Sequence, residues 1–204
     1  MAIAFPRALP AIGFSSVDPV LDLGVVAAKA GRRRINYTQI ADPAWTISLT
    51  TQSLAYSDYA ALEAWWLSLR DGLRTVLFQN PNICFPKAHG RNQAPAEQAG
   101  MLSAIEDGNR LTVTGVDPAL ILSAGDYIGL ERAGVYYLGR VVEVSGANTS
   151  RQIEVEPPPL GSVAQPGGTV HFVRPPLMTR PVPGSWSKQQ SGSRTVASFQ
   201  LVEV

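Results

Sequence analysis

Between Arg110 and Arg174, glycine-bearing turns cut the chain into five short runs of β type. The runs are RLTVTGV, DYIGLER, VYYLGRVVEV, RQIEVE and TVHFVR. Gly125–Asp126, Gly134, Gly146–Ala147–Asn148 and Gly167–Gly168 fall between them as turn signals. Five such strands in so little chain predict a small closed barrel, the arrangement that removes open sheet edges.

The flanking regions have a different texture. In DPAWTISLTT, Trp45, Ile47 and Leu49 alternate with Thr46, Ser48 and Thr50, the period of a strand with one buried face. The stretch AYSDYAALEAWWLSLRDGLRTVLF, residues 55–78, then predicts a helix of about four turns running into a strand, RTVLF. Ser57 is the expected N-cap, with Asp58 near the first-turn amides. Tyr59, Leu62, Trp66 and Leu69 form the apolar stripe expected to pack on a sheet. Adjacent helical residues diverge by about 100°, so Trp66 is expected inside and Trp65 at the margin of the contact. Arg70 is expected in the last turn and Gly72 at C′. The closing TVASFQLVEV alternates Val196, Phe199 (after a one-residue shift), Leu201 and Val204, and reads as a strand. Residues 1–30 fit an arm or a first edge strand.

Two proline-rich stretches without periodicity, residues 79–100 and 175–194, look like long loops at a boundary. The expected fold is therefore mainly β. A discontinuous first domain, residues 1–95 and 178–204, carries one packed helix, and a small barrel, residues 96–177, is inserted into it. Insertion is best tolerated at exposed loops.

Composition narrows the function. A chain of 204 residues with net charge +1 has no bulk electrostatic reason to bind nucleic acid or an anionic membrane. No segment approaches the ~20 apolar residues of a membrane helix. The opening MAIAFPRALPAIGF lacks a basic stretch and is interrupted by prolines, unlike a signal peptide, so the chain is expected to be soluble and intracellular at synthesis. A single cysteine, Cys84, excludes an intrachain disulfide and a cysteine-rich zinc site.

Catalytic patterns are absent: there is no G-x-S-x-G, H-E-x-x-H, Walker or dinucleotide fingerprint. His89 and His171 have no histidine or carboxylate at helical metal spacing. Asp107, Asp126, Glu131, Glu143, Glu154 and Glu156 are scattered over β segments, with Asp126 best explained as a turn residue. Tyr136 and Tyr137 would point to opposite faces of one strand, which favours packing over a stacking platform. Arg32, Arg33 and Arg34 form the one basic cluster. Such chemistry favours a structural or binding protein over an enzyme, with no cofactor and no metal.

The order of segments carries a resemblance. An N-terminal FPRALP is followed by GRRR before DPAWTISLTT, SDYAALEAWWLSLRDG, RTVLFQNP, LSAGDYIGLERAGVYYLGRVVEV, EVEPPPLGSVAQPGGTVHFVRPPLMTRP and SFQLVEV, and the likeness covers most of the chain from about residue 30 onward. In this order the chain resembles a distal tail protein of a long-tailed, siphovirus-like bacteriophage, prophage or gene transfer agent. The resemblance implies a tail-tube-like β-sandwich belt domain with a helix on its sheet, and an outer β domain, galectin-like or of the oligonucleotide/oligosaccharide-binding barrel type. It implies a hexameric ring at the tail tip of the virion, between the tail tube protein and the central hub or fibre protein. DNA would pass through its lumen without specific binding, and no membrane, cofactor or catalytic residue is implied. Within that plan, Arg32, Arg33, Arg34 and the 79–95 loop are candidate intersubunit or lumen elements. A basic lumen would retard DNA, which favours a protein interface for the arginines. Other minor tail or tube-adaptor rings, a host-glycan-binding tail module and a hydrolase are the competing classes.

Overall fold

A computed structural model describes residues 3–30, 34–90, 99–146 and 148–204. The protein is mainly β, with one α-helix and a closed barrel among the described residues. In chain order the first elements are β1 (Arg7–Ala8), β2 (Phe14–Asp22), β3 (Val25–Ala30), β4 (Arg34–Gln39), β5 (Ala44–Thr51), α1 (Tyr56–Ser68) and β6 (Val76–Gln79). There follow β7 (Ala99–Glu106), β8 (Arg110–Thr114), β9 (Tyr127–Arg132), β10 (Val135–Ser145), β11 (Ser150–Glu156) and β12 (Thr169–His171). The chain closes with β13 (Pro176–Pro181), β14 (Ser187–Ser191) and β15 (Arg194–Glu203). Two compact units result, Met1–Val76 with Thr179–Val204, and Leu77–Met178.

A seven-stranded sheet runs in the order β1-β6-β13-β15-β5-β2, with β14 added beside β15, and the first unit supplies most of its residues. Its core face is set by alternation. Trp45, Ile47, Leu49 and Thr51 of β5 are buried, and their neighbours are only partly so. On β15 the buried set is Thr195, Ala197, Phe199 and Leu201. Antiparallel pairing places Phe199 opposite Leu49 and Leu201 opposite Ile47, so the two sets share one face. The expected phase of β15 is thus corrected: Val196 lies on the outer face, and no shift is needed to bring Phe199 inside. Ala197, too small to signal burial by itself, holds the inward position.

Residues 175–194, expected to be a loop, contribute two strands. Pro176 and Pro181 stand at the ends of β13, where a missing N–H disrupts least. β2 is the edge strand at one end of the sheet, and it tolerates Pro19 for the same reason.

The helix holds three Ala and two Leu, residues that favour it, but its ends differ from expectation. Ala55, not Ser57, is the N-cap, and no side chain caps the helix, although Asp58 does lie in the first turn. No basic residue falls in the last turn. Beyond the C-cap Leu69, Arg70 and Asp71 both take positive φ, ahead of Gly72 at +97°. Gly72 is required for a second reason: a Cβ there would stand 2.8 Å from the Pro181 carbonyl oxygen.

Tyr59, Leu62, Trp65, Trp66 and Leu69 are buried. Trp65, expected at the margin, is 5% exposed against 7% for Trp66. Its ring meets Phe199 at 6.0 Å, while its indole N–H donates to the Ala8 carbonyl at 3.1 Å. Both tryptophans therefore face the sheet. Phe199 gathers them with Trp186, 5.8 Å away, and Phe14, 6.4 Å away, into one aromatic cluster.

In the second unit, β10-β11-β8-β7-β12-β9 close into a six-stranded barrel. The five runs legible in the sequence are β8 to β12. The sixth strand, β7, lies in AGMLSAIE, where Ala, Gly and Ser dilute the β signal. Leu102, Leu111, Val113, Ile128, Leu130, Ile153 and Val155 fill the interior. Tyr137 is buried and Tyr136 partly exposed, as their adjacent positions on β10 require. The Tyr137 hydroxyl donates to the Pro157 carbonyl.

Candidate subunit interface

β3 and β4 form a two-stranded ribbon that pairs with no other strand among the described residues. Its register runs from Val25 opposite Gln39 to Ala30 opposite Arg34. The base is tied down locally. Asp22 accepts a hydrogen bond from the Gly24 amide at 2.9 Å, and Ile40 N–H donates to the Gly24 carbonyl at 2.8 Å. Gly24 sits at φ +63°, and a Cβ would fall 2.4 Å from the Ala41 carbonyl oxygen, so glycine alone fits the point where the ribbon leaves the sheet.

Directly opposed residues share a face of an antiparallel pair. One face of the ribbon therefore presents Val25, Ala27, Ile35 and Tyr37 with Lys29, and the other presents Val26, Ala28, Asn36 and Thr38. Both faces are open to solvent: Val26 is 47% exposed, Ile35 52% and Tyr37 70%. A lone two-stranded ribbon is at best marginal in water, so a surface of this kind needs cover.

The charges on the ribbon and on the neighbouring edge differ in sign. Lys29 and Arg34 are the charged residues described on β3 and β4, whereas Asp18 and Asp22 are those on the outermost strand β2. Of the arginine cluster expected at an interface, Arg34 opens β4 and is exposed. Arg32 and Arg33 lie outside the described residues. The helix residues Tyr59, Leu62, Trp66 and Leu69 belong to the interior of their own unit. The helix meets β14 through polar groups instead. Tyr59 donates to Glu63 at 2.5 Å, and Lys188 lies 3.9 Å from the same carboxylate and 5.5 Å from the Tyr59 ring centre. Burial, then the bond to Glu63, pushes the Tyr59 hydroxyl pKa up.

On the barrel, His171 and Glu131 form a cross-strand pair at 2.9 Å. Tyr136, opposite Glu131 on β10, has its pKa pushed up by burial first and by that carboxylate second. Sequence spacing concealed the pair because its members are 40 residues apart. Among the described residues no group of three or more His, Cys, Asp and Glu could hold a metal ion. No described helix is long and apolar enough to cross a membrane. Asp126 closes a turn, as expected, with its carboxylate accepting from the Ser123 amide at 2.7 Å.

The ribbon itself escaped sequence reading. With both faces exposed, it has no alternation to mark it. No protein-family model and no curated protein matches the chain, so its functional reading rests on its own ribbon, edge strand and barrel.

Proposed function

We propose that the chain is a structural virion protein that forms a hexameric ring at the distal end of a phage tail, joining the tail tube to the central hub or fibre of the tip. In this reading the seven-stranded sheet with its helix belongs to the tail-tube-like β-sandwich belt, and the barrel is the inserted second domain. The observation that carries it is the β3–β4 ribbon, whose apolar side chains lie bare on both faces. A second copy of the chain offers the cover. Ribbon and β2 are different surfaces with opposite charge, and contacts between unlike surfaces run head to tail, closing into a ring when the rotation between copies divides a full turn. Such a contact would also occupy the free edge of β2, which Asp18, Pro19 and Asp22 otherwise protect against random pairing. DNA passing through the lumen makes no specific contact in this scheme.

The test is location and symmetry together. Purified phage particles labelled with an antibody to this chain should carry label at the tail tip, and six-fold rings should appear there in averaged electron micrographs. A chain absent from particles, or present along the whole tube, sinks the proposal.

A further inference from the structure

Within the barrel unit lies a cavity of about 450 Å³, a size suited to a small-molecule site. One wall is the irregular segment from Asn82 to Gly90, and the other is Gly125, Asp126, Tyr127 and Arg140. The irregular wall is pinned at several points. Asn80 Oδ1 accepts from the amides of Asn82 and Ile83, at 2.9 and 3.0 Å. The Cys84 carbonyl accepts from Arg174 N–H at 2.8 Å. Lys87 N–H donates to Asp126 Oδ1 at 2.9 Å, and His89 Nε2 accepts from Ile121 N–H at 2.8 Å. The cavity is therefore built in advance of any ligand.

Its charges are unbalanced. Asp126 is the one carboxylate among the described lining residues, and it is buried with both oxygens occupied by the Lys87 and Ser123 amides. Lys87 and Arg140 are exposed, and among the described residues neither forms an ion pair. Lys87 Nζ donates to the Ala124 carbonyl at 2.7 Å. The Arg140 guanidinium rests 4.5 Å from the Tyr127 ring centre and donates one bond, at 2.6 Å, to the Tyr127 hydroxyl. A guanidinium has five N–H donors in a rigid fork, so the stacked Arg140 retains donors for a planar anion. Ile83 and Phe85 give the same cavity an apolar side.

We propose that this cavity binds an anionic sugar unit, a single ring bearing a carboxylate or a phosphate ester. The anion is held by Arg140 and Lys87, and the C–H face of the ring lies against Phe85 and Ile83. Charge-assisted bonds to a guanidinium are the strong ones, and a neutral sugar forgoes them. The proposal is independent of ring assembly, since every residue invoked lies in one unit of one chain.

Calorimetric titration of the full-length protein with glucuronate, glucose 6-phosphate and glucose tests it and separates carboxylate from phosphate. One or both anionic sugars should bind at least about tenfold more tightly than glucose, with affinity falling as salt rises. Arg140→Gln should lower that affinity about tenfold or more, while Arg110→Ala, on the same barrel, leaves it unchanged. Circular dichroism confirms that both variants fold. Equal affinity for glucose, no heat with any sugar at about 10 mM, or indifference to Arg140→Gln overturns the site. Equal binding of acetate or inorganic phosphate, or tighter binding of a glutamate-containing tetrapeptide, overturns the sugar assignment.

Discussion

The ring of Phe199 on β15 and the ring of Trp66 on α1 meet at 5.1 Å with their planes tilted by 50°. This contact couples α1 to a strand in the middle of the seven-stranded sheet. Phe199 is 1% exposed and also touches Phe14, Trp65 and Trp186. Phe199→Ala should therefore destabilise the first unit by about 3–5 kcal/mol, the range for a buried phenylalanine truncation. Phe199→Leu should cost less, because it refills most of the void. Urea midpoints followed by tryptophan fluorescence check both, and a loss below about 1 kcal/mol for Phe199→Ala would contradict this role.

A second prediction concerns acid. Glu203 is largely desolvated, and burial holds its carboxyl pKa above the ordinary carboxylate range, opposed by one bond from the Trp45 amide at 2.9 Å. A raised folded pKa means that the folded chain binds more protons than the unfolded chain between the two values. Stability then falls as pH rises from the unfolded pKa through the folded one. Glu203→Gln keeps an acceptor for the Trp45 amide without a charge. It should be more stable than the parent at neutral pH, with the difference shrinking towards pH 4. Thermal midpoints at several pH values decide the matter, and an advantage that grows on acidification refutes it.

Arg151 supplies a third. Its guanidinium is buried in the barrel unit and, among the described residues, donates to the carbonyls of Asn148, Ser150, Pro118 and Leu120. It holds the 117–122 connection against the start of β11. Arg151→Met fills similar space but leaves those acceptors unpaired, at about 1–3 kcal/mol for each one that stays buried. Arg151→Lys should recover part of the loss. Hydrogen exchange at the Leu120 and Leu122 amides should rise before the rest of the barrel loosens.

The ribbon gives the fourth. Ile35 and Tyr37 are exposed, so Ile35→Asp with Tyr37→Asp should change the stability of the isolated chain by only about 0.5 kcal/mol. The same pair should abolish incorporation into particles, because two carboxylates would enter an apolar contact beside Asp18 and Asp22. Normal incorporation of the double variant would remove the ribbon from the interface.

What the sequence disclosed follows from which faces are buried. β5 was legible because Trp45, Ile47 and Leu49 stand against Thr and Ser on a strand with a dry and a wet side. The barrel strands β8 to β12 were legible from their glycine turns. β13 was hidden by its two prolines, β7 by its small residues, and the ribbon by having no buried side at all. The helix was evident from composition, but its caps were not, since backbone geometry at Ala55 and Arg70 overrode the side-chain preferences of Ser57 and Gly72. The cavity depends on Lys87 and Arg140, which are brought together by closure of the fold and by no local pattern.

The hydroxyl of Thr179 donates to the carbonyl of Val76 at 3.1 Å, inside the first unit. The chain departs for the barrel after one of these residues and returns at the other. The two splice points are thus stitched to each other within the first unit. Because β6 (Val76–Gln79) and β13 (Pro176–Pro181) run on past both points, an exchange of the inserted segment spares the sheet only if it starts after Gln79 and ends before Pro176.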